Sequence, residues 1–252
     1  MDLGLAGLRA IVTGSTKGIG RAIAETLLDE QAAVAICARD TEGVSSAVSE
    51  LGDRGTVWGR AVDVADSGSL RGFIAEAIEQ LGGLDIYVHN TSGKPGKTLD
   101  AWQHNMDVDL MALVHGVDAA TEALTASGRG ALISIGTSAV GEHFASGSNS
   151  YSSLKAAVTN WTLGQAQVLG AKGVRCNVVS PGPIWVEGGD WNRVKDGRPE
   201  FFEATEHAHP MGSIGDVTDV ANAVAFLASP AAKHINGANL TVDGGFMKRV
   251  NY

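Results

Sequence analysis

Tyr151 and Lys155 stand where they could move a proton. They are four apart in a stretch, 150–169, whose spacing predicts a helix, so both side chains fall on one face, one turn apart. A free phenol has a pKa near 10 and exchanges protons poorly at neutral pH. A neighbouring ammonium stabilises the phenolate and is expected to draw that value toward the working range. Just upstream lies a hydroxyl-bearing turn, Gly136-Thr137-Ser138. A hydroxyl there can donate to a carbonyl oxygen as negative charge develops on it. Ser134, Thr137 and Ser138 all compete for that position.

A second constellation suits a phosphate. The sequence Thr13-Gly14-Ser15-Thr16-Lys17-Gly18-Ile19-Gly20 follows a short apolar run and opens a helical pattern. Glycines at 14, 18 and 20 permit a tight turn and close approach of a ligand to bare backbone. The helix start then offers N–H groups and a positive dipole end to a pyrophosphate. The residue after the second strand selects between dinucleotides. An acidic residue there accepts from a ribose 2′-OH, and an Arg favours a 2′-phosphate. The chain reads Ala38-Arg39-Asp40, and Lys17 adds a second cation in the glycine loop. These cations predict NADP(H) over NAD(H). A one-residue shift of the strand end would put Asp40 at the ribose instead.

These groups need a scaffold. Short β-branched runs, most of them continuously apolar, predict strands at 10–13, 33–38, 56–62, 84–89, 131–135, 174–179 and 239–242. Helical patterns alternate with them at 19–30, 42–51, 67–81, 99–126, 150–169 and 217–228. Strand–helix alternation predicts an α/β fold. The expected form is a single-domain, Rossmann-type, doubly wound parallel sheet of about seven strands with helices on both faces. With 252 residues, one domain (1–252) is expected. The segment 181–215 has no clear period and carries Trp185, Trp191, Phe201 and Phe202; residues 185–215 are expected to form a substrate loop or lid.

Composition excludes other classes. Hydrophobic residues make up 44 %, too many for a disordered chain. Glycine is abundant, 33 residues, but without the three-residue period of collagen. The net charge of −9 speaks against a nucleic-acid surface. No signal segment or apolar run long enough for a membrane span is present, so a cytoplasmic protein is expected. Cys37 and Cys176 lie in apolar runs and read as buried thiols. His207 and His209 lack a third ligand at recognisable spacing, so no metal is expected.

Over nearly its whole length the chain resembles the short-chain dehydrogenase/reductase family. The glycine motif is spaced TGxxxGxG, as in that family, and the details resemble its NADP-preferring, 3-oxoacyl-carrier-protein-reductase-like branch. The resemblance implies hydride transfer between NADP(H) and a ketone or secondary alcohol, with Ser138, Tyr151 and Lys155 as the catalytic set. Ser138 lies thirteen residues before Tyr151, the family spacing, which Thr137 and Ser134 lack. Cofactor contacts are implied for Gly14, Thr16, Lys17, Gly18, Ile19, Gly20 and Arg39. Further contacts are implied for Asp63 and Val64 after strand three, Asn90 after strand four, Tyr151, Lys155, and Pro181, Gly182 and Ile184 after strand six.

Several positions depart from the family pattern. After strand four the family reads Asn-Asn-Ala-Gly, whereas here Asn90 is followed by Thr91-Ser92. Val186 replaces a Thr common in the family. The family's fourth catalytic residue, an Asn followed by Leu, is Asp109 here. In the family that position holds a relay water through its main-chain carbonyl. A carboxylate near Lys155 would also reshape local proton affinities. His143, Phe144, Trp185 and Trp191 fall where the family lines its substrate pocket. A homotetramer is implied. So are two alternatives: a 3-oxoacyl-thioester reductase using Arg129 and Lys172 for an acidic carrier, or a non-catalytic NADP-binding sensor or interaction protein.

Overall fold

The structure is a computed structural model that describes residues 2–142 and 147–248. His143 and Phe144 therefore lie outside the described residues. The chain runs β1 (Arg9–Thr13), α1 (Gly18–Asp29), β2 (Ala33–Ala38), α2 (Thr41–Gly52), β3 (Val57–Ala61) and α3 (Ser67–Leu81). It continues β4 (Ile86–His89), α4 (Leu99–Asn105), a π-helical turn (Met106–Met111), α5 (Ala112–Ala126) and β5 (Ala131–Ile135). Then come a 3₁₀ turn (Ser138–Gly141), α6 (Ser150–Gly170), β6 (Arg175–Pro181) and β7 (Ile184–Trp185). The last elements are α7 (Asp190–Gly197), α8 (Pro199–Ala208), β8 (Gly215–Asp216), α9 (Val217–Ala228) and β9 (Asn239–Val242).

Seven parallel strands form the main sheet in the order β3-β2-β1-β4-β5-β6-β9. Successive side chains of a strand point to opposite faces, and here both faces are covered. Ala10, Val12, Val34, Ile36, Ile86 and Val88 enter one core with α1 and α9. Ile11, Ala35, Cys37, Tyr87, Leu132 and Cys176 enter the other, with α3, α5 and α6. This is why the strands read as unbroken apolar runs. Burial also pushes the Cys37 and Cys176 thiols up to about 12, which keeps both unreactive. The strand order reverses between β1 and β4. A crevice at the carboxyl ends of those strands is the expected ligand site of such a sheet.

Two sequence expectations need correction. The pattern 99–126 is not one regular helix, because a π-helical turn interrupts it. Asp109 lies in that turn and makes contacts to β4, the following loop and α6, described below. Such π-turns inside α-helices are frequent at functional sites. The segment 181–215 is not an irregular loop. It holds β7, α7, α8 and β8. Trp191 stacks on Phe201 at 6.2 Å, and Trp185 meets Phe202 edge-on at 6.0 Å. The helices are short, 8 and 10 residues, and ring contacts between them replace the usual apolar period.

At the opposite end of the strands, Asp85 is fully buried. Its carboxylate accepts from the Arg9 backbone N–H (2.9 Å), Arg9 Nε (2.8 Å) and Arg129 Nε (3.0 Å). Arg129, one of the two cations named for an acidic carrier, is thus paired through its Nε within the fold while its side chain stays half exposed. Burial pushes the Asp85 pKa up, but the hydrogen bonds from Arg9 and Arg129 outweigh it and the net shift is downward. A depressed carboxyl contributes stability above its unfolded value, near 4, that is lost as pH falls through the folded value. Asp85→Ala is expected to lower stability by about 2–3 kcal/mol at neutral pH, since the two part-exposed guanidiniums rehydrate. In urea titrations the gap to wild type should narrow below roughly pH 4.

Candidate functional site

The glycine loop joins β1 to α1 and adopts the backbone that its residues permit. Gly14 and Gly18 have φ of +64° and +60°. A Cβ at Gly20 would overlap the Gly14 carbonyl oxygen and the Asn90 amide. Asn90 Nδ2 donates to the Thr13 and Gly14 carbonyls at 3.0 and 2.9 Å, so its amide nitrogen holds the loop in shape. Lys17 occupies the N-cap of α1 and supplies no side-chain cap. The open turn, the close approaches and the uncapped helix start fit a pyrophosphate.

A cleft of about 450 Å³ extends from this loop, lined by Thr16, Lys17, Arg21, Arg39 and Asp40 among others. Arg21 is committed to Glu25 and Glu50. Asp40 caps α2, its carboxylate accepting from the Gly43 N–H at 3.1 Å. Arg39 and Lys17 are exposed. Arg39 also lines a second cleft of about 310 Å³ with Ser92, Gly93, Lys94, His104 and Asn105. Asp63 is exposed beyond β3 and accepts from the Ala65 N–H at 3.1 Å; Val64 is buried. Pro181 ends β6, and Gly182 packs so closely on Asp243 that a Cβ there would lie 2.6 Å from the Asp243 Cβ. Ile184 is buried in β7. Val186 faces the glycine loop, 3.4 Å from where a Gly18 Cβ would stand.

The proton-handling groups meet beside α6. Asn149 caps that helix, accepting from the Ser152 N–H at 3.0 Å, and places Tyr151 in its first turn. Lys155 follows one turn later and is 1 % exposed. Its Nζ donates to the Ile135 carbonyl at 2.9 Å and stands 3.1 Å from Asp109 Oδ1. Ser138 is buried in the 3₁₀ turn. Thr137, one residue earlier, is the hydroxyl that acts on the Tyr151 phenol and draws its pKa down. Ser134 is turned away, 2.9 Å from Thr162 Oγ1 inside the core.

Asp109 is the centre of a network. Its Oδ1 accepts from Ser92 Oγ at 2.7 Å and its Oδ2 from the Gly93 N–H at 3.0 Å. Its main-chain carbonyl lies 3.0 Å from His89 Nε2. Burial, with the Lys155 charge beside it, drives the His89 pKa down to about 3, so this ring is neutral and donates through Nε2. The expectation that Lys155 lowers the Tyr151 pKa is corrected. Burial raises it, the Thr137 hydrogen bond lowers it, and Asp109 and Asp190 raise it; the net direction is upward. Asp109 neutralises the ammonium that would otherwise stabilise the phenolate.

Sequence reasoning missed Ser92 and His89, whose partner Asp109 is 17 and 20 residues away. The signal available was that Ser92 and Asp109 both depart from the family pattern. Trp185 and Trp191 come together in the aromatic cluster, with Lys195 Nζ 5.3 Å from the Trp185 ring centre. Asp190, next to Trp191 in sequence, raises the Tyr151 pKa through its charge. His207 and His209 each bond a backbone carbonyl one turn back, of Glu203 and Thr205.

A family model described as "Enoyl-(Acyl carrier protein) reductase" matches residues 14–247. Isoepoxydon dehydrogenase of Penicillium expansum is 34 % identical over 253 residues, covering 97 % of this chain and 96 % of the relative. L-Sorbose reductase from Gluconobacter frateurii, solved with NADPH and L-sorbose, superposes with a TM-score of 0.91 at 27 % identity, covering 99 % of this chain and 100 % of that one. A 7α-hydroxysteroid dehydrogenase solved with NADH and 7-oxo glycochenodeoxycholic acid gives 0.90 at 28 % identity, covering 99 % and 98 %. Matched along nearly its full length by enzymes that interconvert alcohols and carbonyls, and folded as they are, the chain belongs to the short-chain dehydrogenase/reductase family.

Proposed function

We propose that the chain reduces a ketone with NADPH, and catalyses the reverse oxidation at higher pH. The observation that carries this reading is the Tyr151 phenol. It stands in the first turn of α6, one turn from the buried Lys155, and burial raises its pKa above the ordinary phenol value. A neutral phenol is the form that donates a proton to a developing alkoxide.

Gly14, Thr16, Gly18, Ile19 and Gly20 would hold the pyrophosphate, with Asn90 fixing the loop. Asp63 and Val64 would border the adenine, and Pro181, Gly182 and Ile184 the nicotinamide. A bound nicotinamide dinucleotide supplies the hydride. Ser138 donates a hydrogen bond to the substrate oxygen, Tyr151 gives that oxygen its proton, and Lys155 carries the positive charge nearby. Trp185 and Trp191 would form an apolar wall for the substrate, and the segment 185–215 the loop that covers it. The domain spans 1–252. The preference for NADP(H) is supported by the exposed cations Arg39 and Lys17, and by the engagement of Asp40 in capping α2. No helix among the described residues is long and apolar enough to cross a membrane; we place the protein in the cytoplasm. We infer a homo-oligomer, a tetramer by family resemblance. Exposed Val168 on α6 and Leu240 on the edge strand β9 suit a second copy.

The test is consumption of NADPH and NADH across aliphatic, cyclic and aromatic ketones. Turnover with NADPH is expected. Tight NADPH binding with no turnover on any ketone would favour the non-catalytic sensor. In equilibrium fluorescence titrations, Arg39→Ala should weaken NADPH binding about 10–100-fold, the loss of one charge-assisted bond to a phosphate, and leave NADH unchanged. Tighter binding of NADH by the wild type would overturn the preference.

A further inference from the structure

Lys155 and Asp109 are both sealed from water. Lys155 Nζ meets the Ile135 carbonyl at 2.9 Å, the Thr91 carbonyl at 3.5 Å and Asp109 Oδ1 at 3.1 Å, which occupies the three donors of an ammonium. Asp109 is 0 % exposed. Its main-chain carbonyl, the group that the family resemblance assigns to a relay water, is engaged by His89. The neutral His89 is no proton source. Ser92 is different. Its Oγ donates to the same Oδ1 at 2.7 Å, and the residue is exposed at the rim of the 310 Å³ cleft.

We propose that Ser92 and Asp109 form a proton relay between solvent and Lys155, a role that rests on the carbonyl-reductase reading above. Reduction leaves Tyr151 as phenolate once its proton has gone to the substrate oxygen. The phenolate draws the Lys155 ammonium, one turn along the same helix face, off the Thr91 carbonyl, its longest contact at 3.5 Å, and the proton so released restores the phenol and leaves an amine. Ser92 then passes its hydroxyl proton to Asp109 Oδ1 and takes one from water. Oδ1 passes a proton to Nζ. One solvent proton has reached Lys155, and Ser92 and Asp109 end as they began. Convergence of both donors on one carboxylate oxygen makes this transfer short. Ser92 replaces the glycine, and Asp109 the asparagine, of the family pattern, and these two departures bond each other.

The experiment uses the full chain with saturating NADPH and the fastest ketone of the panel. Ser92→Ala should lower kcat about tenfold with KM and NADPH affinity within about twofold, in the range of a lost proton-transfer group. The melting temperature should not move. The solvent deuterium isotope effect on kcat should rise, Ser92→Thr should keep most activity, and added imidazole should restore part of the Ser92→Ala loss. A Ser92→Ala enzyme with wild-type kcat and isotope effect overturns the relay. So does a loss that comes with a lowered melting temperature and that imidazole does not restore, because Ser92 then only supports the carboxylate. Absence of turnover in the wild type overturns the reductase reading and the relay with it. Normal wild-type turnover with an unaffected Ser92→Ala overturns the relay alone.

Discussion

Tyr151→Phe is expected to lower kcat by about 10²–10⁴-fold in both directions, the usual contribution of a positioned proton donor. The phenyl ring keeps the packing and loses only the hydroxyl, so NADPH binding and thermal stability should stay near wild type. The pH dependence follows from the surroundings of the phenol. Burial raises the Tyr151 pKa most strongly, and the Asp109 and Asp190 charges add to it against the Thr137 hydrogen bond. Reduction uses the protonated phenol, so its kcat should be flat through neutral pH and fall only above the ordinary phenol value, near 10. Oxidation uses the phenolate and should climb steadily over the same range. Steady-state profiles in both directions check this. An oxidation rate that levels off below about pH 8 would show that Lys155 prevails over Asp109.

The second large effect concerns the buried ion pair. Lys155→Ala is expected to abolish turnover and also to cost about 3–5 kcal/mol of stability, because it leaves the Asp109 carboxylate buried without a cation. Ser92 and Gly93 still donate to Asp109 but bring no formal charge. The double change Lys155→Met with Asp109→Leu removes both charges. It should recover most of the lost stability and none of the activity, since well-packed apolar replacements of buried pairs are often neutral. Urea unfolding of wild type, Lys155→Met, Asp109→Leu and the double variant, with Lys155→Ala beside them and kcat measured for each, reads both parts. A Lys155→Ala protein as stable as wild type would mean that water reaches Asp109.

The scaffold was legible because it obeys local rules. A parallel strand covered on both faces is apolar throughout, and the central strands were visible as such runs; the edge strands β3 and β9, less buried, carry Arg60, Asn239 and Thr241 and were legible from the alternation with helices. The glycine loop was legible because strand, turn and helix are contiguous in sequence. Two features were not. The helices α7 and α8 are held by contacts among Trp185, Trp191, Phe201 and Phe202, which leave no period. The π-turn carries Asp109 to Lys155, 46 positions away, and no local pattern encodes that meeting. The substitution at 109 was visible, and so was its power to reshape proton affinities near Lys155. Its pairing with Ser92, and the occupation of its carbonyl by His89, needed three dimensions. Asp40 illustrates the same limit. Its type suited a ribose, but the start of α2 claims it as a cap.

The aromatic segment has a consequence for how this protein can change over generations. Phe202 is buried, yet it belongs to neither of the two apolar cores that sandwich the sheet. Ring contacts within the segment and cations over the rings, Lys195 and Arg198, hold it together. Its cohesion is therefore largely local, and substitutions within it disturb few of the contacts that keep the sheet folded. The segment can therefore exchange side chains at little cost to the sheet, and if it covers the substrate as proposed above, new specificities can arise there while the fold is inherited intact.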